Sequence, residues 1–188
     1  MRIQHLNNVR LTGLFALVIG IGFFAGCSTA PKTEAARENL HDEVEVTLRT
    51  MQREDSTLEE FMSKAHAYAV FPSVGKGGLI AGGAYGRGEV YQGGTMIGFA
   101  DLSQATIGAQ AGGQEFSELI VFESAGALDR FKQNKLRFAA NASAVALKSG
   151  TARSARYDDG VAVFTRPTGG LMFEAAIGGQ SFSFRSTE

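Results

Sequence analysis

Cysteine is almost missing from this chain: Cys27 is the only one. An internal disulfide is therefore impossible, and Cys-based metal or redox chemistry is excluded. The thiol must be free, paired with another molecule, or modified. Charge of one sign is also missing, since 18 basic side chains face 19 acidic ones. No global field points to nucleic acid. Histidine occurs three times, at His5, His41 and His66, and no two lie at metal-ligand spacing. A zinc site would need distant carboxylates. No metal and no cofactor is expected. A long apolar run is missing too. Residues 11–24 carry no charge, but they fall short of the roughly 20 apolar residues that span a bilayer.

What is present begins with that short run. Arg2 and Arg10 precede it, and Ala25-Gly26-Cys27 follows with small residues. This is the pattern of a cleaved export signal. Residues 25–27 resemble a bacterial lipobox, in which the cysteine is acylated and becomes the new N-terminus; Phe24 departs from the usual Leu. An ordinary secretory signal with an incidental cysteine is the alternative. The expected organisation is a signal peptide over 1–26, a polar tether over 27–33 and one domain over 34–188. Ser28, where an Asp would favour inner-membrane retention, points to an outer-membrane anchor with the domain facing the periplasm.

Cleavage removes two arginines and no acid, so 16 basic and 19 acidic side chains remain, a net charge of −3. The distribution is uneven. Residues 34–60 hold nine acids and three arginines, whereas residues 129–156 hold seven basic side chains and only Asp129 as an acid. Such a run is either a solvated face or a surface for anionic headgroups, each basic residue near such a surface contributing about 1 kcal/mol. On the second reading Arg130, Lys132, Lys135 and Arg137 meet phosphates, with Lys76 and Arg87 as second choices.

Periodicity predicts a helix from Glu34, with Ala36, Leu40, Val44, Leu48 and Met51 on one face. Ser56 and Glu59 predict a capping box that opens a second helix. The acidic polar face favours core packing over a membrane-lying role. From Ala67 the pattern becomes β-like: Ala67–Phe71 ending at Pro72, Gly77–Tyr91, Met96–Gly108 and Glu115–Glu123. Ser124 then caps a helix over 125–133, with Asn134 as its stop. Residues 138–147 suit helix or strand. Residues 161–165 and 170–184 are expected to form a closing hairpin. There are 24 glycines, and many of them fall inside or beside the β-like segments. The segments 109–117 and 175–183 agree at six of nine positions, with 81–89 as a looser copy. A reused Gly-Gly corner at which a strand bends explains the repeat. The expected fold is α+β: a Gly-rich, curved, mostly antiparallel sheet or small barrel with N-terminal helices packed on it.

Catalytic patterns fail. Val70 stands where a phosphate loop around Gly75-Lys76 needs glycine, and Gly77 replaces its Ser or Thr. No G-x-S-x-G occurs. An enzyme is therefore not expected. A cavity holding a serine or carboxylate against His41 or His66 would revive a hydrolase. The phenylalanines alternate with polar residues as core positions do, or line an apolar groove for acyl chains.

Three segments in order, AYAVFPSVGKGGLIAGGAYGRGEVY (67–91), TIGAQAGGQEFSELIVFESAGALDRF (106–131) and VAVFTRPTGGLMFEAAIGG (161–179), resemble the SYLF domain. That family includes bacterial envelope lipoproteins and eukaryotic proteins that bind phosphoinositides and associate with actin. The resemblance covers about residues 38–185. It implies phospholipid binding at a membrane surface and no catalysis; actin association does not transfer to an envelope protein. Residues 135–156 depart from the family's Gly- and Asp-containing pattern, with Asn141 at its acidic position. The expected partner is a phospholipid membrane with anionic headgroups, not nucleic acid. The alternative is a non-catalytic scaffold that binds protein or peptidoglycan.

Overall fold

The first helix forms where the apolar stripe predicts it. The computed structural model describes residues 30–78, 81–107, 113–136, 138, 144–169 and 177–187. Helix α1 spans Glu34–Glu54. Thr33 opens it by accepting the Ala36 N–H on its hydroxyl at 3.2 Å, and Glu34 and Arg53 complement the dipole at the two ends. Leu40, Val44 and Met51 are buried, while Ala36 at the stripe's start is exposed.

Helix α2 spans Thr57–Ser63, but its cap is not Ser56. Ser56 already has helical φ and ψ and its side chain makes no capping bond. The extended residue before it, Asp55, does the work: its Oδ1 accepts from the Thr57 N–H at 3.0 Å and the Thr57 hydroxyl at 2.7 Å. A carboxylate in extended geometry competes better for these N–H groups than a hydroxyl on a residue already in the turn.

Seven strands follow: β1 Ala67–Gly78, β2 Ala81–Gln92, β3 Thr95–Ile107, β4 Gly113–Phe122, β5 Val145–Ala146, β6 Val161–Gly169 and β7 Gln180–Ser186. Helix α3 (Ala125–Lys132) sits between β4 and β5, and α4 (Thr151–Ser154) between β5 and β6. They build one sheet in the order β5-β6-β4-β1-β2-β3-β7. All pairs are antiparallel except β5 with β6. The fold is α+β, and the sheet is not closed, so the small-barrel alternative does not hold: β5 and β7 are its two edges.

Two other expectations change. Pro72 does not end the first strand, because the register shifts around it on both sides, between Val70 and Ser73 against β2 and between Phe71 and Val74 against β4. A bulge lets a residue without an N–H sit inside a central strand. Among the described residues no closing hairpin forms: β6 pairs with β4 and β5, whereas β7 pairs with β3 at the far edge. Local turn glycines cannot reveal which edge a returning strand will join. Of the 138–147 segment, residues 139–143 lie outside the described residues, and Val145–Ala146 form the short parallel strand β5.

The sheet separates two cores. On its outer face α1 and α2 pack Leu40, Val44, Met51 and Leu58 against Val70, Phe99, Leu119 and Phe164. The inner face carries Phe71, Val74, Leu102, Phe116, Ile120, Phe122 and Phe182, covered by Ala127, Leu128 and Phe131 of α3. Ser124 caps α3 through the Ala127 N–H at 3.3 Å, and Asn134 takes a positive φ of 52° just beyond it. The β2–β3 turn needs Gly93 and Gly94, both at positive φ. Gly88 is required by contact, since a Cβ there would run into the Val70 carbonyl.

Candidate functional site

The structure keeps Arg130, Lys132 and Lys135 together on α3 and just after it, and sets Arg87 on the opposite face of the sheet. Lys132 and Lys135 lie at the end of α3 and just after it, on the layer covering the inner face. Lys132 holds its ammonium 5.4 Å from the Phe184 ring centroid, a cation–π distance. Lys135 reaches back to Gln133 Oε1 at 2.8 Å. Arg130 is committed to the fold: Nη2 donates to the Asp159 carbonyl at 2.5 Å and lies 3.3 Å from Asp159 Oδ1. It therefore anchors the turn before β6. Arg87 is on the outer face, its Nε 2.9 Å from Asp101 Oδ1 and its Nη2 donating to the Tyr85 hydroxyl at 3.0 Å. Asp101 neutralises it. Lys76 is on β1 near the strand ends, lining a shallow cleft with Gly75, Gly113, Gln114, Glu115 and Gly169. Cys27, Arg137 and the signal segment lie outside the described residues. Among the described residues, Arg87 lies apart from Arg130, Lys132 and Lys135.

A different site does come together. Residues 30–34, the first turns of α1, the outer face of β2–β3 and the end of β7 enclose a cavity of about 620 Å³. Met96, Phe99, Ala30 and Pro31 supply apolar lining, and Phe99 is nearly buried. Lys32, Arg37 and Arg185 supply positive charge, and Glu34, Glu38 and Glu89 negative charge. Arg37 is fixed over Phe99, 5.9 Å from the ring centroid, with Nε donating to the Pro31 carbonyl at 3.2 Å. Lys32 and Arg185 are exposed and make no side-chain hydrogen bond or ion pair among the described residues. Two unpaired cations beside an apolar floor suit an anionic amphiphile.

His41 and Glu89 line one wall of the cavity, with Tyr91 hydrogen-bonded behind them. His41 Nδ1 lies 3.0 Å from Glu89 Oε2, and the Tyr91 hydroxyl donates to the same oxygen at 2.5 Å. Glu89 is 2 % exposed. The His41 pKa is raised, first by its hydrogen bond to Glu89 and then by nearby carboxylates, with burial opposing. Burial, the Glu89 hydrogen bond and nearby charge push the Tyr91 hydroxyl up. A carboxylate in contact with His41 inside a cavity is the condition that would revive a hydrolase. The ring's partners argue for another role. Its second nitrogen lies 3.5 Å from Glu45, so both nitrogens face carboxylates and the imidazolium is favoured over the free base. A general base needs an unprotonated nitrogen aimed at a nucleophile.

Sequence reasoning missed this cavity because its parts lie about 150 residues apart, from Ala30 to Thr187. One signal was visible. Glu89 lies between Gly88 and Val90 in a β-like run, at an alternate position shared with Tyr91. No protein-family model matches this chain, and no curated protein matches it.

Proposed function

We propose that this chain is an envelope lipoprotein, anchored through Cys27 at the outer membrane, whose single domain over 34–188 binds phospholipid. The observation that carries this reading is the cavity beside the tether, with Met96 and Phe99 for acyl chain and unpaired Lys32 and Arg185 for phosphate. Its rim includes Ala30, three residues after Cys27, and an extended chain covers at most about 10 Å over that span. An acylated Cys27 thus keeps the cavity at the lipid surface. Lys132 and Lys135 supply a second cationic patch for headgroups. The resemblance to SYLF domains, with its glycine-rich, curved sheet, supports the same reading.

Vesicle flotation tests it. The protein with Cys27 replaced by Ala should float with anionic vesicles and less with neutral ones, and salt should weaken the difference. Replacing Lys32 and Arg185 by Ala should cost about 1 kcal/mol each on an anionic surface, a loss of roughly thirtyfold in affinity. Equal binding to neutral and anionic vesicles would sink the electrostatic component. No binding to either would favour a scaffold that holds protein or peptidoglycan.

A further inference from the structure

Among the described residues, one carboxyl group is buried in the inner core. On β4, Glu118 alternates with Phe116, Ile120 and Phe122 and is fully buried. Its Oε2 accepts from Gln180 Nε2, on β7, at 3.0 Å. Glu118 Oε1 and Gln180 Oε1 are both buried without a partner. Both atoms are acceptors when Glu118 is ionised, so each bears the full penalty of an unmade bond. A single proton removes both penalties. Carried on Glu118 Oε1, it turns that atom into a donor, and Gln180 Oε1 is an acceptor on the same amide that has no partner of its own. Thr165, opposite Glu118 in register, leaves its own hydroxyl unpartnered and so does not already satisfy the carboxyl group.

We propose that Glu118 is held protonated in the folded core as the donor to Gln180, and that loss of this proton releases β7 from the inner core. The pair is a proton-operated bolt across the sheet. β4 and β7 are separated by β1, β2 and β3 in the sheet order, about 19 Å if the sheet were flat. Their side chains meet only because the sheet curls. Beside the bolt, Phe182 packs on Phe71, Phe131 and Phe138, so freeing β7 opens the apolar interior.

Among the described residues, no opposite charge relieves an ionised Glu118. Facing it are Phe71 from β1, Thr165 from β6 and Gln180 from β7. β2 and β3 put Ala84, Val90, Ala100, Leu102 and Gln104 on this face. Among the described residues, the cations on this side are Lys76, near the strand ends, Lys132, over Phe184, Lys135, held by Gln133, and Arg130, held by Asp159. Burial pushes the Glu118 carboxyl up to about 7. Its folded state therefore holds the proton more tightly than the unfolded chain. The stabilisation is complete below the ordinary value of 4.5 and is lost as pH rises to about 7.

The test uses the full chain and reads Glu118 directly. Infrared difference spectra at about pH 6 should show a buried protonated carboxyl that E118Q lacks. Between about pH 6 and about pH 8, amide exchange in β7, corrected for intrinsic rates, should rise about tenfold relative to β1. E118Q, which keeps shape and stays neutral, should abolish that rise. A wild-type Glu118 titrating near 4.5, or β7 exchange that ignores pH, overturns the proposal. Should E118Q fail to fold, the wild-type infrared and exchange readings decide alone.

Discussion

Asp55 shows how much one side chain can organise. Its carboxylate is buried and accepts from five donors: the Thr57 N–H and hydroxyl, the Gly150 N–H, the Thr151 hydroxyl and the Ala152 N–H. These bonds overcome burial, which opposes them, and hold its pKa well below the ordinary value of 3.8. Asp55 thereby joins the start of α2 to α4, 95 to 97 residues later. Asp55→Ala should cost roughly 2–4 kcal/mol in urea unfolding at neutral pH, by loss of a cap and exposure of buried donors. Because its folded pKa is depressed, this contribution is present above pH 3.8 and fades as pH falls below it. The penalty of Asp55→Ala should therefore shrink in acid. His41 is the opposite case. Its raised pKa means that its pairing with Glu89 contributes below the ordinary 6.5 and fades as pH rises past the shifted value. The His41 ring protons should titrate above 6.5 by NMR, and Glu89→Gln should bring the midpoint down.

At the scale of elements, placement depends on what each strand finds beside it. The repeat between 109–117 and 175–183 becomes intelligible here. Gly113 opens β4, and Gly179, at a φ of 79°, precedes β7. In each copy a phenylalanine follows on the inner face, Phe116 in one and Phe182 in the other, both almost wholly buried. Edge strand β7 is also protected. The Phe182 N–H donates to Asn134 Oδ1 at 3.0 Å, so the residue that stops α3 also occupies a backbone donor on the sheet's edge. Phe182→Ala should destabilise by roughly 3–5 kcal/mol. The loss should appear first as faster amide exchange in β7 and α3, since Phe182 meets Phe71, Phe131 and Phe138 at once.

Across the whole molecule, a sheet with helices on both faces has two cores and two distinct polar devices. The outer core ends in the cavity beside the tether; the inner core holds the Glu118–Gln180 pair. Neither follows from neighbours in sequence. The sequence by itself determined α1, from the spacing of Leu40, Val44 and Met51, and α3, from Ser124 and Asn134. It also determined the α+β class and most strands, because period and capping are local properties. Even Glu118 was legible as an inward position, since alternation puts it with Phe116 and Ile120. The tertiary structure alone decided the rest. It placed β7 beside β3 rather than β6, set Arg87 on the face opposite the cations of α3, and brought Lys32, His41, Glu89 and Arg185 around one cavity. Strand order and the meeting of distant side chains depend on long-range pairing, for which a local pattern carries no address.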